Sequence, residues 1–260
     1  MEVPSRVSSG AVRDRSAAEW MGRDRVAVAT HPVPPEAMTS PAPPASDGNQ
    51  PSRPGDQLTR PEQESYRWDF VTPGLPDGVF EEAPGFAPTP MELRVMLLAH
   101  LRPRANSLVW DIGGGTGALA LEIARLMPAG EVHTLERDPD AVELLERNRR
   151  RFAITNLNSH LGQAPADLHQ LPSDPDRVLL EVGRPLVDVL RAVWQALRPE
   201  GRLVISTVSL EGLVDASDTL AQLGARDVQV VQATVHRMQR RGSQAKLAAA
   251  EPLFVIAAER

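Results

Sequence analysis

Asp111-Ile-Gly-Gly-Gly-Thr-Gly117 puts one acid and four glycines into seven residues, between the apolar run Ser107-Leu-Val-Trp110 and the apolar helical pattern that starts at Ala118. Glycines at a strand-to-helix junction let a ligand lie against bare backbone. Gly113, Gly115 and Ala118 satisfy the G-x-G-x-x-G/A pattern of dinucleotide folds, so the glycines alone leave the ligand open. The acids narrow it. Asp111 closes the first strand, where its charge favours a cation and repels a pyrophosphate. Gly117 offers a further position of close approach. Glu136 closes the next strand, where two carboxylate oxygens can accept both hydroxyls of a ribose.

The lysine of a phosphate-binding P-loop is missing from the turn, which argues against ATP or GTP. A cofactor with a positive sulfonium and ammonium, a ribose and no phosphate meets these demands. S-adenosyl-L-methionine is that cofactor, and the arrangement resembles motif I and the acidic loop of class I methyltransferases. Further along, Gln163 and Ala164 follow the third predicted strand. Gln163 can hydrogen-bond an adenine edge and Ala164 can offer a backbone N–H, or the pair can form a plain surface turn. Glu181, after the fourth strand, reads as a catalytic base, an ion partner or simply a strand-terminal acid.

These residues need a scaffold that brings strand ends together. Short apolar runs alternate with amphipathic helices from Leu108 to Gly224, and two further strand-like runs, 227–238 and 252–259, close the chain. That alternation predicts an α/β fold with seven strands, mostly parallel, right-handed crossovers and helices on both faces. Before Leu108, Thr89 reads as the N-cap of a helix, with Pro90 in the first turn and Glu92 closing a capping box. Phe80 and Phe86, in an irregular lead-in, are expected to pack on the domain.

The chain has 260 residues and a net charge of −6, with 24 prolines and no cysteine. Ten of those prolines fall within the first 61 residues, so residues 1–65 read as a disordered extension and 66–260 as the folded domain. The early Arg-containing run has no continuous apolar core and reads neither as a secretory signal nor as a transit peptide. No run of eighteen apolar residues occurs, so a cytoplasmic protein without a membrane span is expected. Absent cysteine excludes disulfides and thiolate metal sites. An acidic balance counsels against a nucleic-acid partner, leaving local patches such as His236 to Lys246 as the basic candidates.

Thr72-Pro73-Gly74-Leu75-Pro76-Asp77, the Pro88-Thr89 helix start, the Asp111 turn with Glu136, Gly162-Gln163-Ala164 and Val208-Ser-Leu-Glu-Gly-Leu213 together resemble the precorrin decarboxylating methyltransferase family of cobalamin synthesis. The likeness spans Tyr66 to Arg260. It implies the seven-stranded methyltransferase sheet, often as a homotetramer. It also implies methylation of carbon 15 of precorrin-6B or its cobalt form, with loss of the ring C acetate carboxylate. An anionic tetrapyrrole calls for basic side chains, and the candidates are Arg184, Arg237, Arg240 and Arg241, with Thr72 and Pro73 from the lead-in. Two positions depart from the family pattern: Glu181-Val-Gly-Arg-Pro185 stands where a glycine-rich run is usual, and Ser206 where asparagine is usual. An RNA methyltransferase and a noncatalytic paralogue that binds the same cofactor are the alternatives.

Overall fold

The computed structural model describes residues 66, 68–181, 183, 185–242 and 244–260. The expected disordered extension and two members of the departing run, Val182 and Arg184, lie outside the described residues.

The chain enters the fold through α1 (Met91–Leu101). It then alternates β1 (Leu108–Ile112), α2 (Ala118–Leu126), β2 (Glu131–Glu136), α3 (Pro139–Arg151) and β3 (Leu157–Leu161). The second half runs β4 (Arg177–Leu180), α4 (Leu186–Ala196), β5 (Arg202–Thr207) and α5 (Leu210–Gln222), followed by β6 (Arg226–Ala233), β7 (His236–Arg241), β8 (Gln244–Ala249) and β9 (Leu253–Glu259). Seven strands form one sheet in the order β3-β2-β1-β4-β5-β9-β6, with β9 antiparallel to both neighbours. The chain builds outward from β1 and then returns to β4 on its other side. This reversal opens a crevice at the carboxyl ends of β1 and β4.

Alternation along β1 shows why helices cover both faces. Val109 packs with Leu97, Ile123 and Leu145 in one core, while Trp110 and Ile112 join Val189, Val193 and Leu220 in the other. A strand buried on both sides reads as a near-continuous apolar run, broken in β1 only by Asp111.

The lead-in is held by an ion pair. Arg94 and Glu122 are both fully buried, with Nε and Oε1 2.7 Å apart. The second Glu122 oxygen accepts the Gly74 amide at 2.6 Å. Arg94 also donates to the Leu75 and Thr89 carbonyls and to Asp77 Oδ1, the last at 2.7 Å. The Thr72–Asp77 segment is thereby laid across α1 and α2. Phe80 is buried beside Phe152, as expected, and Phe86 is half-buried.

The expected capping box does not form. Pro90 is the residue at the N-cap, in an extended conformation, with its carbonyl accepting the Leu93 and Arg94 amides. No side chain caps α1, and Glu92 pairs with Arg237 instead. Arg94 takes the Thr89 carbonyl, so the backbone there serves the buried guanidinium. Thr89→Ala should therefore change stability by less than about 0.5 kcal/mol. Ser209→Ala, at a cap whose hydroxyl does accept Gly212 N at 2.9 Å, should cost about 1 kcal/mol. Urea denaturation of both variants checks the contrast.

The run expected as one closing strand, 227–238, divides in two. β6 pairs with β9 as far as Ala233 opposite Leu253, where β9 begins. Beyond that point the chain has no partner in the main sheet. It pairs with its own return as the hairpin β7–β8, turning at Gly242 with φ +59°.

Candidate functional site

The turn after β1 lies at the reversal point of the sheet, and its four glycines do different jobs. Gly113, φ +91°, donates its amide to the Leu135 carbonyl at 2.9 Å, tying the turn to β2. Gly114 sits where a Cβ would lie 2.2 Å from Thr134 Cγ2 and 2.6 Å from Asp111 Oδ2. Any side chain there would push the turn off the carboxylate beneath it. Gly115, φ +51°, faces open space, with no atom within 4 Å of a would-be Cβ. Gly117 begins α2 at φ +75°, and its missing Cβ is replaced by Leu145 Cγ at 2.6 Å. Gly117 therefore permits the packing of α3 on α2. Gly114 was the missed position, because what excludes its side chain comes from β2.

Asp111 is fully buried. Its Oδ2 accepts the Thr134 hydroxyl at 3.1 Å, while Oδ1 has no hydrogen-bond partner among the described residues. Burial drives its pKa well above the usual carboxylate range, with the Glu181 and Glu136 charges adding to the rise and the Thr134 hydroxyl opposing it. Glu136 Oε2 accepts the Gly115 amide at 3.1 Å, and Oε1 accepts the amides of Arg137 and Asp138 at 2.8 and 3.0 Å. Glu136 thus folds its own loop with three backbone bonds, and Oε2 keeps more acceptor capacity than Oε1. Burial raises the Glu181 pKa to about 7, against the opposing Ser206 hydroxyl, which lies 3.3 Å from Oε2. Ser206 belongs to β5 itself, opposite Val255.

A cavity of about 180 Å³ lies beside these groups, lined by Gly113, Glu136, Gln163, Ala164 and Glu181 from the expected set, whereas Asp111, Gly115 and Gly117 are not part of its lining. Arg137, Gly162, Gly183, Pro185 and Val189 line it as well. Sequence reasoning passed over Arg137, although its place directly after the strand-ending acid was a signal. Gly162 needs its bare backbone for packing, since a Cβ there would meet Asp167 Cβ at 2.8 Å.

Among the described residues, Thr72, Pro73, Arg237 and Arg240 lie outside this lining. Thr72 is exposed, and its carbonyl accepts the Trp68 indole N–H at 3.3 Å. Arg237 is engaged by Asp77 Oδ2 at 2.5 Å and by both Glu92 oxygens. Arg240 is exposed on the hairpin, and the Arg241 backbone pairs with Gln244.

The strand order, the glycine turn over a buried acid and the second acid closing β2 define a class I S-adenosyl-L-methionine-dependent methyltransferase. Within that class, residues 85–260 match the precorrin methyltransferase domain, and the chain belongs to that family. A Pyrobaculum calidifontis protein named "probable cobalt-precorrin-6B C(15)-methyltransferase (decarboxylating)" is 33% identical over 193 residues, which are 74% of this chain and 98% of that protein. Among solved structures, precorrin-6Y C5,15-methyltransferase from Geobacter metallireducens superposes with TM-score 0.67 at 30% identity, covering 73% of this chain and 99% of the other. The precorrin 8W decarboxylase of Methanobacterium thermoautotrophicum gives 0.65 at 28%, covering 71% and 98%.

Proposed function

We propose that the enzyme transfers a methyl group to carbon 15 of precorrin-6B or its cobalt form and removes the carboxylate of the ring C acetate arm, in cobalamin synthesis. The observation that carries the reading is the match of residues 85–260 to the precorrin methyltransferase domain, in a chain whose relative above is named for this reaction.

The residues present fit the cofactor. A buried carboxylate oxygen without a partner suits a cationic ligand, and the open side of Gly115 leaves room for it. S-adenosyl-L-methionine supplies an electrophilic methyl group on a sulfonium centre. Asp111 provides the counter-charge, Gly113 and Gly115 the bare backbone, Glu136 Oε2 the ribose contact, and Gln163 with Ala164 the adenine end. Glu136→Ala should weaken cofactor binding by about 1.5–3 kcal/mol, since a charged acceptor is lost. Titration calorimetry checks it, and unchanged affinity would refute the ribose contact.

The chain's share of the chemistry is positioning and proton handling. Carbon 15 attacks with electrons of the conjugated ring, so no strong protein base is needed. When carbon dioxide leaves, the electron pair of the broken C–C bond passes into the macrocycle and must be met by a proton. Glu181, with a pKa near neutrality on the cleft wall, can hold and release one.

Incubation with methyl-labelled cofactor and precorrin-6B tests the assignment, following label uptake and carbon dioxide release together. Uptake without gas would leave methylation alone; neither signal would overturn the reading. No helix among the described residues is long and apolar enough to cross a membrane. A cytoplasmic homotetramer is part of the same reading. The paired Met238 and Leu247 on the hairpin, 63% and 69% exposed, support self-association, and light scattering tests the number of copies.

A further inference from the structure

At the amino-terminal edge of the sheet, the end away from the cleft, five arginines line one cavity of about 460 Å³: Arg102, Arg104, Arg177, Arg202 and Arg226. Only two carboxylates, Glu200 and Glu259, line it with them. Asp227 pairs with Arg202 and Arg102, and Asp176 with Arg177, from beside the lining, so the positive excess is smaller than the lining alone gives, in a chain whose net charge is −6.

Part of the cluster has a structural task. Arg202 Nε donates to the His100 carbonyl, and Arg177 Nε donates to the Arg102 carbonyl at 2.9 Å, so both satisfy the carboxyl end of α1. Arg202 Nη1 then donates to Glu259 Oε1 at 2.9 Å and Asp227 Oδ2 at 3.1 Å.

That task does not account for the rest. Arg202 Nη2 is buried, has no hydrogen-bond partner among the described residues, and belongs to a side chain 2% exposed. A buried charged donor without an acceptor is costly; closed off from solvent, it adds to the positive field of the cavity rather than lining it. Arg104 forms no ion pair among the described residues, whereas Arg226 Nη2 is taken up by a main-chain oxygen of Arg260 at 2.6 Å. Burial lowers the Arg177 pKa and the Asp176 charge opposes this, while Arg104, Arg198 and Arg202 lower it further; the guanidinium groups repel one another across the space they share.

We propose that this cavity is a binding site for a small multivalent oxyanion, a phosphate or carboxylate compound of at least two negative charges, held by Arg104, Arg177, Arg202 and Arg226. Guanidinium forks match both oxyanions in geometry. The site lies at the start of β4 and Glu181 follows its end; the four steps along the strand from Arg177 to Glu181 span roughly 13 Å. A ligand here would therefore leave the cofactor's cleft open.

The test is titration calorimetry on the full chain with pyrophosphate and, separately, citrate, at ionic strength fixed with sodium chloride. At least one should bind at one per chain with Kd below about 1 mM, and Arg104→Gln and Arg226→Gln should each weaken it about tenfold. Both residues are exposed, and an unchanged denaturation midpoint would show that the variants fold. Stronger binding of pyrophosphate assigns the site to phosphate compounds, and stronger binding of citrate to polycarboxylates. No saturable heat with either probe, or equal affinity in wild type and variants, would overturn the proposal.

Discussion

Asp111→Asn weakens S-adenosyl-L-methionine binding by about 2–5 kcal/mol, the cost of truncating one partner of a buried charge pair, and at the same time stabilises the cofactor-free fold. The two effects share one cause. Burial holds the Asp111 pKa far above its unfolded value. The folded state then binds the proton more tightly than the unfolded chain, so stability falls as pH rises above the unfolded carboxylate pKa and goes on falling until the folded pKa is passed. Asparagine removes the titration and with it this loss. Binding of a cation runs the other way, because the carboxyl must be ionised to pair with it. Wild-type affinity should therefore improve as pH rises, by up to about tenfold per unit while the group is still protonated. The variant should lose that slope. Calorimetry and thermal denaturation at several pH values read both effects; wild-type affinity in the variant would sink the role given to Asp111.

Glu122→Leu should destabilise the protein by about 3–5 kcal/mol, because it removes the fully buried counter-charge of Arg94 and leaves the guanidinium only the part-exposed Asp77. Arg94→Met should cost a similar amount by stranding Glu122. The double variant should cost less than the sum, with a coupling of up to about 3 kcal/mol, since no uncompensated charge remains. It should not return to wild type. The Gly74 amide and the Leu75 and Thr89 carbonyls all lose a partner with the pair. Chemical denaturation of the four proteins measures the coupling, and strict additivity would show that the two groups do not act together.

This pair also marks where the sequence stops being readable. The strands β1 to β5 and the helices between them could be placed from pattern alone, because doubly covered strands are apolar runs and α3, α4 and α5 each carry one apolar face. The hairpin could not be placed that way. Its exposed faces carry no apolar alternation, although Gly242-Ser243 between two polar runs was a hairpin signal. The jobs of the glycines were hidden for a different reason. Gly114 is constrained by Thr134 and Gly117 by Leu145, contacts that exist only once β2 and α3 have folded over the turn. Asp111 and Glu136 were legible because strand ends in this fold meet at one known edge, but the three amides that Glu136 accepts were not. Thr89 misled because its residue type suits a cap, whereas the buried arginine decides what its backbone does.

Arg237 on the hairpin and Arg94 in the interior hold opposite oxygens of the same carboxylate, Asp77. The hairpin is thus moored by charge, through the lead-in, to a sheet that apolar packing holds together. Its attachment should yield to acid first. The Arg237 hydrogen bond holds Glu92 below the usual carboxylate range, so this mooring persists through mildly acidic solution and slips as pH falls through that lowered value. Amide exchange recorded along an acid series should show the β7–β8 amides losing protection while those of β1 and β4 keep theirs, a peripheral arm cast loose from an intact hull.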